Sequence, residues 1–173
     1  MRLAIISDSH DNIPNLEKAL AWLKAEGVSL IIHCGDLCAP SILTEVLAPN
    51  FYGEIHLIHG NVGDRELLSK KVQEFKNVKL HGDFGRIEVK GKKIAFVHKP
   101  DEGKKLATSG LYDLVFYGHT HKPWIEEIKT KGRDQKVVYL ANPGNLAGMF
   151  YKATFATYDT EANKLELKIL EKL

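Results

Sequence analysis

The chain has 173 residues, 44% hydrophobic and 27% charged, which is enough for one sizeable core and short for two, so a single domain over 1–173 is expected. A net charge of +2, with lysines scattered among acids, argues against a dedicated nucleic-acid-binding surface. Two cysteines, Cys34 and Cys38, are too few for a disulfide framework or a cysteine-based zinc site. No window reaches the length of a membrane span and no apolar leader opens the chain, so a cytoplasmic setting without a membrane partner is expected.

Leu3 to Ile6 is an apolar run that suits a central parallel strand, and it stops on Ser7-Asp8-Ser9-His10-Asp11-Asn12. Alternate residues of a still-extended chain point the same way, so Asp8 and His10 could grip one cation. The same residues could equally be turn and cap residues, because a helix follows. Asn12 can cap it, Pro14 suits its first turn, Leu16, Ala19, Leu20 and Leu23 share a face, and Gly27 closes it.

The pattern then recurs. Leu30 to Cys34 reads as a strand ending on Gly35-Asp36, with a shorter helix from about Pro40 to Leu47. Glu54 to Ile58 is a third strand, ending on Gly60-Asn61, with a charged amphipathic helix from Arg65 to Phe75. These are successive βα units without a fixed repeat period.

Beyond Asn77 the pattern turns to hairpins. Arg86 to Lys90 turns at Gly91 into Lys93 to Val97, which runs into His98. A short helix over 101–109 precedes the buried strand Asp113 to Tyr117, which stops at Gly118-His119-Thr120-His121. Ile125 to Thr130 turns at Lys131-Gly132 into Lys136 to Ala141, the loop Asn142-Pro143-Gly144-Asn145 follows, and Ala153 to Tyr158 pairs with Lys164 to Leu170. The fold class expected is α/β, a four-layer sandwich of two mixed β-sheets flanked by helices.

The polar groups placed just after apolar strands are Asp8, His10, Asp36, Asn61, His98, His119 and His121. That set is too large for one tetrahedral zinc and suits two divalent cations sharing a carboxylate, with positions left for water and substrate. Asp8-x-His10, Gly35-Asp36, Gly60-Asn61, His98 and Gly118-His119-x-His121, in this order, resemble the calcineurin-like metallophosphoesterase superfamily. The chain length, the Asp8-to-Asn12 opening and Asn142-Pro143-Gly144 are similar, more narrowly, to its small YfcE-type phosphodiesterases.

The resemblance implies Asp8, His10 and His121 on a first metal, Asn61, His98 and His119 on a second, and Asp36 bridging. Manganese is the first expectation, with nickel, iron, zinc or cobalt as alternatives. The implied reaction is hydrolysis of a small or nucleotide-like phosphodiester by a metal-bridging hydroxide, with Asp36, Asn61 and His98 at its centre. Asn12, Asn61, Arg65 and Lys99 are candidates for substrate contact from placement, and Lys122 adjoins a ligand. A homo-oligomer is common among similar proteins and is an expectation on that ground alone.

Two departures qualify the resemblance. Where many superfamily members carry a His after the motif Asn, this chain has Val62-Gly63-Asp64, so the usual leaving-group proton donor is missing unless Asp64, Asp11 or water replaces it. His98 is followed by Lys99-Pro100 where the family usually has Gly.

Of the remaining histidines, His33 and His56 read as core or edge residues, His81 precedes a turn, and His59 could support the site. Cys34 and Cys38 read as small buried hydrophobes. Trp124 and Met149-Phe150-Tyr151 fit a pocket wall, an interface or core packing. The rival functions are a phosphomonoesterase or nuclease and a non-catalytic protein-interaction scaffold of the same fold, Vps29-like.

Overall fold

In the computed structural model, which describes residues 1–130 and 136–173, the first strand β1 (Arg2–Ile6) is buried on both faces. Its alternate residues part company: Leu3 and Ile5 enter one core, Ala4 and Ile6 another. The same division recurs in β2 (Leu30–His33), whose Ile32 joins Leu3 and Ile5 while Ile31 joins Ala4 and Ile6. Period-two burial on both sides is what a strand inside a layered sandwich requires, and it explains the unbroken apolar runs.

Parallel pairing continues through β3 (Glu54–Leu57) to β4 (Val78–Leu80). A second sheet holds β5 (Phe84–Val89), β6 (Lys92–Val97), β7 (Leu114–Phe116), β8 (Trp124–Lys129) and β9 (Val137–Asn142), in the order β5-β6-β7-β9-β8. The chain returns to the first sheet with β10 (Thr154–Asp159) and β11 (Lys164–Ile169), giving β11-β10-β1-β2-β3-β4. Both sheets are mixed: β10 runs antiparallel to β1, and β8 antiparallel to β9.

The helices cover the outer faces. α1 (Ile13–Ala25) buries Leu16, Ala19, Leu20 and Leu23 against the first sheet, capped by Asn12 Oδ1, which accepts from Asn15 N at 3.1 Å. A π-helical segment, Ile42–Leu47, runs into α2 (Ala48–Asn50) where a plain short helix was expected. α3 (Arg65–Lys71) completes that side, and α4 (Pro100–Thr108) packs Ala107 on the outside of the second sheet. Helix, sheet, sheet, helix is the four-layer α/β sandwich expected.

β4 is an additional parallel strand, too short at three residues and too near an edge to show a period. The turn expected at Lys131-Gly132 lies outside the described residues. Among the described residues no helix is long and apolar enough to cross a membrane.

Candidate metal centre

The carboxyl ends of β1, β2, β3, β6 and β7 meet at one rim of the sandwich, and backbone hydrogen bonds stitch their loops together. Asp8 N donates to Gly35 O at 3.0 Å and His10 N to Asp36 O at 3.2 Å, joining the first two loops. Gly118 N donates to His98 O at 3.1 Å, and His119 N reaches both oxygens of Asp8 at 3.2 and 3.0 Å, joining the two sheets. A Cβ on residue 118 would lie 2.6 Å from Asp8 Oδ2, so this approach is open only to glycine.

Asp8 and His10 converge for a different reason from the one expected. They are not alternate residues of an extended strand: φ is 52° at Asp8 and 41° at His10, in the left-handed region. Asp36 (55°), His119 (68°) and His121 (60°) share it. Such backbone costs about 1–3 kcal/mol per residue and persists where surrounding bonds over-determine it, as the stitching does here.

The side chains form two adjoining groups. In the first, His10 Nε2 and His121 Nε2 are 3.1 Å apart, with Asp8 Oδ1 at 3.7 and 3.3 Å from them. In the second, Asn61 Oδ1 is 2.8 Å from both His98 Nε2 and His119 Nδ1. Asp36 Oδ2 stands between, 3.7 Å from His10 Nε2 and 3.3 Å from His98 Nε2. Asp8, His10 and His121 are close enough to share an ion, and so are Asp8, Asp36 and His98, so these two sets overlap through Asp8.

The donor chemistry fits a cation. The Cys34 carbonyl can only accept, so His98 Nδ1–H donates to it at 2.8 Å. A neutral His98 therefore turns an Nε2 lone pair toward the acceptors Asn61 Oδ1 and Asp36 Oδ2. Acceptors facing acceptors at these distances need a positive charge among them, a proton or a metal. Imidazole nitrogen, carboxylate and amide oxygen suit a divalent ion.

The pKa values agree. His10 is pushed up to about 10, chiefly by the hydrogen bond to Asp8 and then by Cys38, against the opposing effect of burial. Burial pulls His98 down, but Asp36 and the Cys34 carbonyl outweigh it and its pKa rises. Burial raises Asp36, yet the His98 ring and the Val62 N–H hold it below the usual carboxylate range. These shifts favour positive charge on the imidazoles beside the carboxylates, and a divalent ion bound there would compete with those protons.

Asn12 is spent on structure: its Oδ1 caps α1 and its Nδ2 donates to Ala147 O at 2.9 Å. Asp64 caps α3 by accepting from Leu67 N, and Asp11 Oδ1 accepts from Ala39 N at 2.8 Å, so both carboxylates weighed as proton donors are engaged. Arg65 pairs with Asp83 at 2.6 Å and, with His59, Asn61, His98, Lys99 and Glu102, lines a polar cavity of about 260 Å³. Lys122 leans instead on the Trp124 ring. A larger apolar hollow of about 330 Å³ between Trp124 and Leu167 has no titratable lining residue and lies apart from the cluster.

Three neighbours have contacts at the cluster that the sequence did not assign to them. Cys38 is not wholly buried, and its Sγ lies 3.3 Å from His10 Nδ1, on the ring edge away from the cluster. Phe150 stands beside His121. His33, read as a core residue, is indeed fully buried, but its Nε2 meets Ser9 Oγ at 3.1 Å under the loop that carries Asp8 and His10.

Burial drives the His33 pKa from 6.5 down to about 4. Between those values the unfolded chain binds the extra proton, so stability falls as pH drops through this window, by about 3 kcal/mol. Urea unfolding at pH 7 and pH 4.5 checks this; an unchanged midpoint would contradict it.

A sandwich with this cluster at its strand ends is a phosphoesterase architecture, and the sequence agrees: residues 1–163 match the calcineurin-like phosphoesterase superfamily domain. The chain belongs to that family. It is 31% identical to phosphodiesterase MJ0936 of Methanocaldococcus jannaschii, over 99% of this chain and 100% of that protein. Among solved structures, an archaeal phosphodiesterase superposes with a TM-score of 0.85 at 29% identity, covering 98% of this chain and 99% of that one. The E. coli phosphoesterase YfcE shares the fold, with a TM-score of 0.65 at 16% identity over 98% of this chain and all of that one.

Proposed function

We propose that this protein is a phosphodiesterase that works with two divalent metal ions, manganese foremost, on a small or nucleotide-like phosphodiester. The observation that carries the reading is the position of Asp36, whose Oδ2 lies between two groups of converging acceptors. Asp8, His10 and His121 would hold one ion, and Asn61, His98 and His119 the other, with Asp36 common to both. The ions would supply Lewis acidity, ionising a water near neutral pH and neutralising phosphoryl charge.

The chain's own groups do the rest. The Cys34 carbonyl fixes the His98 ring so that Nε2 faces inward. Arg65 and Lys99 line the cavity beside Asn61 and His98, where they can hold phosphoryl oxygens. The likeness to phosphodiesterase MJ0936 favours the phosphodiesterase over the phosphomonoesterase reading. The complete donor set argues against a scaffold.

Val62 follows Asn61, and the carboxylates of Asp64 and Asp11 are engaged by the backbone N–H groups of Leu67 and Ala39, so the family's usual leaving-group proton donor is missing. Esters with good leaving groups should therefore turn over faster. With manganese supplied, bis(4-nitrophenyl) phosphate is expected to be cleaved at least about tenfold faster than 4-nitrophenyl phosphate, and chelator should abolish both reactions. A preference for the monoester would overturn the assignment.

A further inference from the structure

The loop after β9 carries Gly148-Met149-Phe150-Tyr151, and Phe150 is 87% exposed. Its ring centroid lies 5.8 Å from that of His121, the planes tilted by 36°. Its φ of 64° is left-handed. The loop is held from below, since Asn12 Nδ2 and Asn15 Nδ2 donate to the carbonyls of Ala147 and Leu146, each at 2.9 Å, and Met149 N donates to Asn145 Oδ1 at 2.8 Å.

The left-handed backbone closes a tight turn in which Tyr151 N donates to Met149 O at 2.7 Å, but a phenyl ring in water gains almost nothing from burial, so the exposed ring does not serve the fold. A lone exposed apolar residue is ordinary on a protein surface. This one is set apart by its place, on a tethered loop against a residue of the cluster with most of its ring open to solvent. The opposite flank, at Asn61 and His98, is the polar cavity with Arg65 and Lys99, which no phenyl, phenol or indole ring lines.

The two flanks therefore suit two unlike ester arms. Building on the phosphodiesterase reading of this site, we infer that Phe150 is a specificity-determining residue. Its ring stacks on a planar ring, a nucleobase or an aryl group, carried by the arm that leaves the cluster past His121. The other arm and the phosphoryl oxygens face Arg65 and Lys99.

The test compares wild type with Phe150→Ala and Phe150→Trp on three diesters: the methyl ester of AMP, phenyl methyl phosphate, and glycerophosphoethanolamine, which has no ring. Taking each substrate as variant over wild type cancels leaving-group reactivity. For the AMP ester, kcat/KM relative to the ringless diester is expected to fall about tenfold or more in Phe150→Ala, mainly through KM, and to recover in Phe150→Trp. Calorimetry without turnover should agree, the affinity for AMP weakening more than that for glycerol 3-phosphate.

An equal fall for the phenyl ester assigns any planar ring, and a fall for the AMP ester alone assigns a nucleobase. Unchanged selectivity and AMP affinity in Phe150→Ala, with hydrolysis intact, would overturn the inference and leave the phosphodiesterase reading standing. Failure of wild type to hydrolyse any diester would overturn both.

Discussion

Replacing Asp36 by asparagine is expected to lower kcat/KM for an activated phosphodiester by about 10²- to 10³-fold, the order lost with one preorganised charged group of an active site. The substitution keeps the shape and an oxygen that can still accept from Val62 N, a bond of 3.0 Å in the native protein. What it removes is the negative charge 3.3 Å from His98 Nε2 and 3.7 Å from His10 Nε2. Affinity for divalent metal should fall with activity, because the carboxylate proposed to be shared by both ions is gone. Steady-state kinetics across a manganese titration check this, and wild-type turnover at saturating metal would contradict it.

Gly60→Ala is expected to be nearly as damaging without touching a donor atom. A methyl group there would lie 2.7 Å from Asp36 Cγ and closer still to Asp36 Oδ1 and N, so the carboxylate or the backbone on one side must move. Overpacking of this kind costs about 1–3 kcal/mol, which for a chain of this size is roughly 3–10 °C in Tm. Moving Asp36 also separates it from both imidazoles, so activity should fall by about the same order as in Asp36→Asn. Gly27→Ala is the control: φ there is also left-handed, at 66°, but no atom lies within 4 Å of the new methyl. It should lose stability and keep its activity.

The architecture was legible wherever burial dictates pattern. Strands buried on both faces, such as Leu3 to Ile6 and Ile94 to Val97, must be continuously apolar, and polar residues where such strands stop mark the rim at which loops converge. The pairing of donors was not legible, because His10 and His121 meet through tertiary structure across most of the chain. Their allocation to two metals came from resemblance to a family.

The left-handed backbone at Asp8, His10 and Asp36 left no local mark, since only the hydrogen bonds between loops impose it. Cys38 and Phe150 escaped for the related reason that their significance lies in which imidazole each one touches. Asn12 illustrates the converse. A cap was readable from its place before α1, while its hold on Ala147 depends on a loop from the other end of the chain.

The central claim, two divalent ions sharing Asp36, is tested most directly by titrating metal-free protein with manganese while counting bound metal and released protons. Two equivalents per chain are expected, with protons displaced from His10 and His98, whose pKa values the cluster raises. Saturation at one equivalent, or no binding, would contradict it.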